Sequence, residues 1–302
     1  IKSSAASDVY KRQVYENALL SFRGFCGTPT VSFGQVTREH LRCYGQYLYE
    51  RGLKLNTVST YMRMLRSIYN RGVESGRAPY VHRLFHGVYT GVDVRQKKAL
   101  PATELHKLLY GDPKSDILRR TQAIAALMFQ FCGMSFADLA HLEKSSLDRN
   151  VLHYNRVKTK TPMSVEILDT AKDMIYQLQN RKPALQDCPD YLFSILNGNK
   201  KRKDESAYRE YQSALRNFNN HLRGLAKALH LTSPVTSYTI RHSWATTAKY
   251  RGVPIEMISE SLGHKSIKTT QIYLKGFALK ERTEVNRMNL SYVKNCLSLI
   301  HI

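Results

Sequence analysis

The sequence predicts a mainly α-helical protein with one small antiparallel β-sheet, arranged in two domains. Three observations lead to this fold class. Apolar residues recur at helical spacing in most segments, residues 150–168 alternate in strand fashion around a turn, and the composition changes near residues 90–100. With 302 residues, the chain is long enough for two ordinary domains that each bury a core.

The first predicted domain, residues 14–90, is a small helical domain with a basic surface. Residues 14–25 have helical spacing, Thr37 opens a second helix that Gly52 ends, and a third helix starts near residue 56 or 57. Three arginines lie beside or opposite the apolar stripe of this third helix: Arg63, Arg66 and Arg71. They fit a surface that contacts a polyanion and, equally, an ordinary solvated helix face.

The second predicted domain, residues 100–302, follows a linker at residues 91–99 that contains a basic cluster and has no helical period. It contains a buried helix at residues 122–131 and then a hairpin or three-stranded sheet around a turn at residues 159–162. Helices return after the sheet. At the other end of the chain, residues 1–13 show no usable periodicity, and we interpret them as a leader that is truncated or foreign.

The charge of the chain favours a polyanionic partner. It has 46 lysines and arginines against 24 aspartates and glutamates, a net charge of +22, and the excess is spread along the chain. A ribosome-associated or membrane-surface protein would fit this charge equally well. The five cysteines are scattered, with neither a disulfide framework nor paired metal-ligand spacing, and they indicate a reducing cytoplasm. The longest apolar run, residues 123–134, is shorter than the roughly 20 residues of a membrane span.

Chemistry-bearing residues concentrate in residues 236–277. Glycine and proline signals divide this stretch into three helices, with Arg241 and His264 near helix ends and Tyr273 on the last and shortest helix. Taken singly, each has an ordinary explanation: a surface ion pair for Arg241, a helix cap for His264 and core packing for Tyr273. The approach to Tyr273, "GHKSIKTTQIY", is however polar and cationic.

Together these residues resemble the signature of the tyrosine recombinases, also called phage-type integrases. The shared features are Arg-His at 241–242, Leu-Gly-His at 262–264 and the spacing to Tyr273, and the architecture extends over roughly residues 14–290. The resemblance implies a C-shaped clamp in which a helical core-binding domain and a catalytic domain enclose duplex DNA. It also implies four catalytic residues: the nucleophile Tyr273, the second arginine Arg241, the late histidine His264 and the hairpin lysine Lys158.

The implied reaction explains why a phenol and several cations belong together. A tyrosine with a pKa near 10 is a poor nucleophile at neutral pH, and a phosphodiester already carries negative charge. Arg241 would grip non-bridging phosphate oxygens, His264 would donate a further hydrogen bond, and Lys158 would protonate the departing 5′ oxygen. The product is a 3′-phosphotyrosyl link and a free 5′ hydroxyl. The resemblance implies no metal, ATP or other cofactor.

The sequence departs from the family pattern at two catalytic positions. Ser135 stands where the family has its first arginine, while Asp138 keeps the acidic partner and is expected to act as a buttress. We expect Arg156 to supply the missing charge, because a strand would direct its side chain to the same face as that of Lys158. This pattern resembles the integrases of Bacteroidetes conjugative transposons. Tyr238 occupies the place of the family's first histidine and can still donate one hydrogen bond to phosphate.

The sequence therefore predicts a site-specific DNA recombinase, the integrase of a mobile element, in the bacterial cytoplasm at the nucleoid. Its expected partner is double-stranded DNA, with a tetramer on synapsed sites, a monomer or weak oligomer when free, and no membrane partner. A tail from about residue 277 packs on a neighbouring protomer or in cis. The predicted DNA contacts are Arg63, Arg66, Arg71, Lys160, Lys265 and Lys268. A non-catalytic DNA-binding relative and a type IB topoisomerase remain as alternatives.

Overall fold

The computed structural model describes residues 5–93, 99–202, 204–274 and 283–291. The chain divides into two compact units. The first comprises residues 1–95 together with 200–210, and the second comprises residues 96–199 together with 211–302. Of the linker predicted at residues 91–99, the stretch 94–98 lies outside the described residues, and so does most of the predicted tail.

The first unit is built on three helices: α1 (Ala5–Cys26), α2 (Arg38–Glu50) and α3 (Leu55–Glu74). The predicted start of α2 is confirmed, because the Thr37 side chain accepts a hydrogen bond from the backbone N–H of His40 at 3.1 Å. Helix α1 begins earlier than the sequence predicts, within the stretch interpreted as a leader. Good helix formers continue a helix without an apolar stripe, and an Arg12–Glu16 pair one turn apart supports it.

The core of the first unit is rich in aromatic rings. Tyr44 is fully buried between α1 and α3, with its ring centre 4.9 Å from that of Phe22 in an edge-on arrangement. Its hydroxyl donates to the Ser21 hydroxyl at 2.8 Å, and burial raises the pKa of Tyr44 to about 12. A satisfied, neutral phenol is therefore part of this core.

Most of the remaining helices pack around α5 and form the apolar core of the second unit with it. In chain order, the remaining helices are α4 (Ala102–Tyr110), α5 (Asp116–Gln130), α6 (Phe136–Ala140), α7 (Asp169–Leu178), α8 (Glu205–Ala228), α9 (Ser237–Tyr250), α10 (Ile255–Ser261) and α11 (Ile267–Tyr273). Residues 283–291 are also helical. The predicted buried helix is confirmed, since Leu127, Met128 and Phe131 are at most 1% exposed. None of the helices in the described parts of the chain is long and apolar enough to cross a membrane.

The predicted small sheet is confirmed as three antiparallel strands in the order β1 (Leu147–Asp148), β2 (Val151–Asn155) and β3 (Pro162–Glu166). Strand β2 lies in the centre, and Leu152 pairs with Val165. These inward residues contribute to the same core as α5. The sheet therefore holds the β2–β3 turn against the helical part of the second unit.

The prediction that a strand carries Arg156 and Lys158 on one face is wrong. Strand β2 ends at Asn155, and residues 156–161 form the turn. This turn is closed by hydrogen bonds from the Arg156 N–H to the Thr161 carbonyl and from the Lys160 N–H to the Arg156 carbonyl, both 2.9 Å. Lys160 adopts a left-handed φ of 59°, which ends strand pairing. Consequently Arg156 is buried while Lys158 is exposed.

Candidate active site

Ser135 caps the short helix α6, and its hydroxyl is hydrogen-bonded to a neighbouring carboxylate. Its hydroxyl accepts from the backbone N–H of Asp138 at 3.2 Å and donates to Asp138 Oδ2 at 2.7 Å. The first of these bonds satisfies one orphan donor at the helix start. Ser135 therefore supports Asp138, and it brings no cation to the position where the family has an arginine.

Asp138 connects α6 to the β2–β3 turn. Its carboxylate is 1% exposed; Oδ1 accepts from the Val157 backbone N–H at 2.8 Å, and Oδ2 accepts from Arg156 Nε at 3.1 Å. With the Ser135 hydroxyl, this buried anion has three donors. A buried charge is tolerated when it is paired and hydrogen-bonded in this way. The predicted role of Asp138 as a buttress thus has a structural basis in its contacts with the turn.

Arg156 lies beneath the C-terminus of α10. Its side chain is 8% exposed. Besides the Nε bond to Asp138, Nη1 donates to the carbonyl oxygens of Leu262 at 2.7 Å and Gly263 at 3.2 Å. A guanidinium has five N–H groups. The two on Nη2 make no hydrogen bond to any part of the chain that the structure describes.

Arg241 reaches the same carbonyl from another direction. It lies at the start of the second turn of α9 and is 5% exposed. Nη1 donates to the Gly133 carbonyl at 2.7 Å, and Nη2 donates to the Leu262 carbonyl at 2.6 Å. Leu262 is the C-cap of α10, where helix carbonyls lack intrahelical partners. One orphan carbonyl therefore holds both arginines, Arg156 and Arg241, side by side.

Gly263 makes this close approach possible. It has a left-handed φ of +60°, and a Cβ built on it would lie 2.5 Å from Cδ of Arg156 and 2.7 Å from Sδ of Met163. Both distances are far below contact distance. The glycine of the Leu-Gly-His triplet is needed for backbone conformation and for space at the same time.

His264 faces the two arginines and is held by α11. Its Nε2 lies 3.4 Å from Nη2 of Arg241, and its Nδ1 lies 2.9 Å from the hydroxyl of Thr270. Partial burial, followed by the positive charges of Arg241, Arg156 and Lys158, lowers the pKa of His264 to about 4. The imidazole is therefore neutral at neutral pH in the DNA-free protein.

The other predicted catalytic residues are Lys158, Tyr238 and Tyr273. Lys158 is exposed in the β2–β3 turn, and its charge reaches His264. Tyr238 is in the first turn of α9, 57% exposed, with its ring centre 5.7 Å from that of His242. Tyr273 is the last residue of α11. The structure thus brings Asp138, Arg156, Arg241 and His264 into one hydrogen-bonded group.

Of the predicted DNA-contacting residues in the second unit, Lys160 lies in the β2–β3 turn, and Lys265 and Lys268 flank the start of α11. All three are exposed. Ser266 holds the N-cap position of α11 without a side-chain hydrogen bond to the helix. These lysines are placed where an external anion can reach them.

Of the predicted arginines of α3, Arg63 and Arg71 are exposed and Arg66 is half-buried. The guanidinium of Arg66 lies 5.3 Å from the ring centre of Phe85 and donates to its carbonyl at 3.4 Å, and that of Arg71 lies 5.6 Å from the ring centre of Tyr15. Such cation–π contacts stabilise the fold. Two of the three arginines therefore have contacts within their own unit.

Sequence reasoning missed the acceptors that organise the site. The carbonyl oxygens of Gly133 and Leu262 have no side-chain signature, so no residue type indicates them. Thr270 is fully buried although it belongs to the polar stretch before Tyr273. Its spacing from Tyr273, nearly one helical turn, was the available signal. Among the described residues there is no group of three or more His, Cys, Asp or Glu side chains that could hold a metal ion.

Comparison with known proteins identifies the family. Residues 98–278 match the profile of the phage integrase family, and residues 2–82 match that of the phage integrase SAM-like domain. The first match alone covers more than half of the chain. The chain therefore belongs to the phage integrase family, and it is a tyrosine-type site-specific recombinase by class.

Curated relatives and solved structures agree with this assignment. Tyrosine recombinase XerD of Listeria innocua is 24% identical over 273 residues, covering 86% of each chain, and XerA of Pyrococcus furiosus is 27% identical over 195 residues, covering 64% of this chain and 62% of XerA. The Tn1549 transposon integrase in complex with a circular intermediate DNA superposes with a TM-score of 0.59 at 15% identity, over 83% of this chain and 85% of that one. A lambda integrase tetramer bound to a Holliday junction superposes with a TM-score of 0.61 at 14% identity, over 86% of this chain and 70% of that one. The predicted fold class and the resemblance to tyrosine recombinases are confirmed.

The first prediction concerns Gly263. Gly263→Ala should displace Arg156, because the new Cβ cannot occupy a point 2.5 Å from Cδ of that arginine. A displacement of about 1 Å in a catalytic group costs roughly 100-fold in rate, so DNA cleavage should fall by about that factor. The matched control is Gly252→Ala, since Gly252 has a similar φ of +77° but open space around its Cβ position. Equal cleavage by the two variants would contradict the proposed crowding.

The second prediction concerns acid stability. His264 has a pKa of about 4 in the folded protein against about 6.5 in an unfolded chain, so the unfolded state binds more protons between these values. Its contribution to stability is complete above about pH 6.5 and declines as the pH falls toward about 4. Urea unfolding across this window should show a smaller loss of stability for His264→Gln than for the parent chain. An identical pH slope in both proteins would show that His264 is not the group responsible.

Proposed function

We propose that this chain is the integrase of a mobile genetic element that cleaves and rejoins DNA through a 3′-phosphotyrosyl intermediate on Tyr273. The observation that carries this proposal is the buried pair Arg156 and Arg241, which share the Leu262 carbonyl beside His264. Burying two guanidinium groups together is costly unless an anion completes the arrangement. A phosphodiester at the end of α11 is the anion that this geometry suits.

The proposed reaction begins with attack by the Tyr273 phenol oxygen on phosphorus. As the new P–O bond forms, the phenol releases its proton to solvent and the bond from phosphorus to the 5′ oxygen breaks, with Lys158 donating a proton to that leaving oxygen. The tyrosine is then esterified to the 3′ phosphate, so the bond energy is kept and the 5′ hydroxyl of a partner strand can reverse the step. Arg241 and His264 contact the non-bridging oxygens, whose charge increases in the transition state.

Arg156 is proposed to replace the arginine that Ser135 lacks. Three features support this role: its side chain is buried in the site, Asp138 fixes its Nε, and its two Nη2 N–H groups make no hydrogen bond within the described residues. With Nε and Nη1 already bound, Nη2 is the nitrogen of Arg156 that remains to donate to an oxyanion. The Ser135 hydroxyl cannot serve, because it already donates to Asp138.

The remaining side chains are proposed to position DNA. The exposed phenol of Tyr238 can donate to a phosphate oxygen near Arg241, as the family's first histidine would. The predicted backbone contacts are Lys160, Lys265, Lys268 and Arg63, with smaller contributions from Arg66 and Arg71 because these two contact aromatic rings. Each neutralised phosphate adds salt-dependent affinity without reading sequence.

The proposed assembly is a tetramer on two synapsed duplexes that acts in the bacterial cytoplasm at the nucleoid. The proposal is supported by a lambda integrase tetramer bound to a Holliday junction and by the Tn1549 transposon integrase in complex with a circular intermediate DNA. We assign residues 14–90 to core binding of DNA, residues 100–302 to catalysis and the tail from about residue 277 to contact between protomers. The proposed host element is a conjugative transposon of the Bacteroidetes type. The integrases of such elements are the branch in which a serine replaces the first arginine, as Ser135 does here.

The third prediction concerns the nucleophile. Tyr273→Phe should keep DNA affinity and lose covalent capture, because only the attacking oxygen is removed. The measurement is incubation with a nicked, end-labelled recombination site, followed by denaturing electrophoresis and, in parallel, a binding titration. Tyr250→Phe is a matched control on an exposed tyrosine of α9. Covalent complex formed by Tyr273→Phe would move the nucleophile elsewhere, and its absence from the parent chain would favour a non-catalytic relative.

The fourth prediction concerns the replacement of the missing arginine. Arg156→Ala should slow single-turnover cleavage at saturating protein by about 100-fold or more, the usual cost of deleting a preorganised transition-state donor. Arg156→Lys should restore only part of the rate, since an ammonium keeps the charge without the planar fork. Ser135→Ala should lower stability by about 1 kcal/mol through the lost cap, with a much smaller effect on the rate.

A different outcome would assign Arg156 to DNA binding. If Arg156 contacts only the backbone outside the site, its removal should weaken binding in a salt-dependent way while cleavage at saturation stays near the parental rate. A near-parental rate for Arg156→Ala would therefore exclude it as the replacement for the missing arginine.

A further inference from the structure

Thr270 joins the helix that carries the nucleophile to the histidine of the phosphate cluster. It is fully buried on α11, and its hydroxyl lies 2.9 Å from Nδ1 of His264. Tyr273 follows on the same short helix. This side-chain hydrogen bond connects α11 with the ring that faces Arg241.

Two described contacts of His264, with Arg241 and with Thr270, indicate its tautomer in the DNA-free protein. The guanidinium of Arg241 has no acceptor atom, so Nε2 of His264 must accept at their 3.4 Å contact. In a neutral ring the proton then resides on Nδ1, which donates to the Thr270 hydroxyl. A neutral ring in this tautomer cannot donate from Nε2 to a phosphate oxygen.

The charges around the ring explain why the tautomer matters. Among the described residues, the titratable and charged groups that act on His264 include Arg241 and His242 from α9 and Arg156 and Lys158 from the β2–β3 turn. Their positive field disfavours an imidazolium ion. To donate to phosphate, the ring must become the other neutral tautomer, with its proton on Nε2 and a bare Nδ1.

We propose that Thr270 is a positioning residue that holds the His264 ring and supports both of its neutral tautomers. A hydroxyl is able to accept from Nδ1–H in the DNA-free state and, after rotation, to donate to a bare Nδ1 when Nε2–H is bound to phosphate. The tautomers exchange one proton through solvent, so no net charge is created. This inference rests on the proposed function for its role in cleavage, and on the DNA-free geometry for the tautomer itself.

Packing alone would give a different pattern among variants. A buried threonine that only fills space is replaced well by valine, which has nearly the same shape, and less well by serine, which lacks a methyl group. A threonine that acts through its hydroxyl shows the reverse order. Thr269, next in the chain and exposed, offers a matched control for the same substitution.

The first measurement is single-turnover cleavage of a nicked site at saturating protein. Thr270→Val should cleave about 10-fold more slowly than the parent chain, the effect of one lost hydrogen bond to a catalytic group, while Thr270→Ser stays within about threefold. Thr269→Val should match the parent chain. Parental cleavage by Thr270→Val, or a larger defect in Thr270→Ser than in Thr270→Val, would overturn the proposal. The pair Thr270→Ser and Thr270→Ala repeats the comparison should valine prevent folding.

The second measurement needs no catalysis. Nitrogen-15 NMR of histidine-labelled, DNA-free protein, with the His264 signals assigned from His264→Gln, should show a protonated Nδ1 in the parent chain. Thr270→Val should shift the ring toward the Nε2–H tautomer, and Thr270→Ser should not. A His264 tautomer that is the same in all three proteins would overturn the proposal whether or not the chain cleaves DNA. If the parent chain forms no covalent complex while the tautomer shifts as expected, the proposed function fails and the Thr270–His264 hydrogen bond stands.

Discussion

The site depends on one backbone carbonyl, that of Leu262, which accepts hydrogen bonds from two buried arginines. Like charges at this separation repel, and their burial removes most hydration. Three features offset that cost: the carboxylate of Asp138, the carbonyl oxygens at the C-terminus of α10 and the carbonyl of Gly133. Helix C-termini carry unsatisfied carbonyls with partial negative charge, so α10 attracts these cations directly.

This arrangement links distant segments of the chain into one hydrogen-bonded group with two buried guanidinium groups. Arg241 comes from α9, Arg156 from the β2–β3 turn, and Asp138 from α6, which Ser135 caps. The same positive field lowers the pKa of His264, so the DNA-free protein keeps that ring neutral. A bound phosphate would reduce the repulsion between the arginines and give the neutral ring an acceptor. The group is therefore suited to a phosphodiester whose phosphorus is transferred from one oxygen to another.

Local chemistry explains which parts of the fold were predictable from the sequence. Thr37 and Pro254 start helices, and Gly52, Gly252 and Gly263 end them. These helix ends were predictable because each of these residues affects only the backbone within a few residues of itself. The position of Arg156 was not predictable, since the hydrogen bonds that end β2 depend on how residues 156–161 fold back. The early start of α1 was missed because a helix without an apolar stripe leaves no periodic signal.

The proposed catalytic group shows the same division between side chains and backbone. Arg241, His264, Lys158 and Tyr273 could be proposed from the sequence because a motif has residue types and spacings. The carbonyl groups that hold the arginines have no signal in residue type or spacing. Thr270 is fully buried, and its position in a polar stretch gives no indication of that burial. The sequence indicates that Gly263 ends a helix. Only the three-dimensional structure shows that its missing side chain also leaves space for Arg156.

The most direct test of this account is a crystal structure of the protein on its DNA site with vanadate in place of the scissile phosphate. We predict that nitrogens of both Arg156 and Arg241 lie within about 3 Å of non-bridging oxygens, with Asp138 still bound to Nε of Arg156 and the Leu262 carbonyl still contacting both guanidinium groups. The account would be contradicted if Arg156 stayed in contact only with Asp138 and the α10 carbonyls, with every nitrogen beyond about 3.5 Å from the vanadate oxygens.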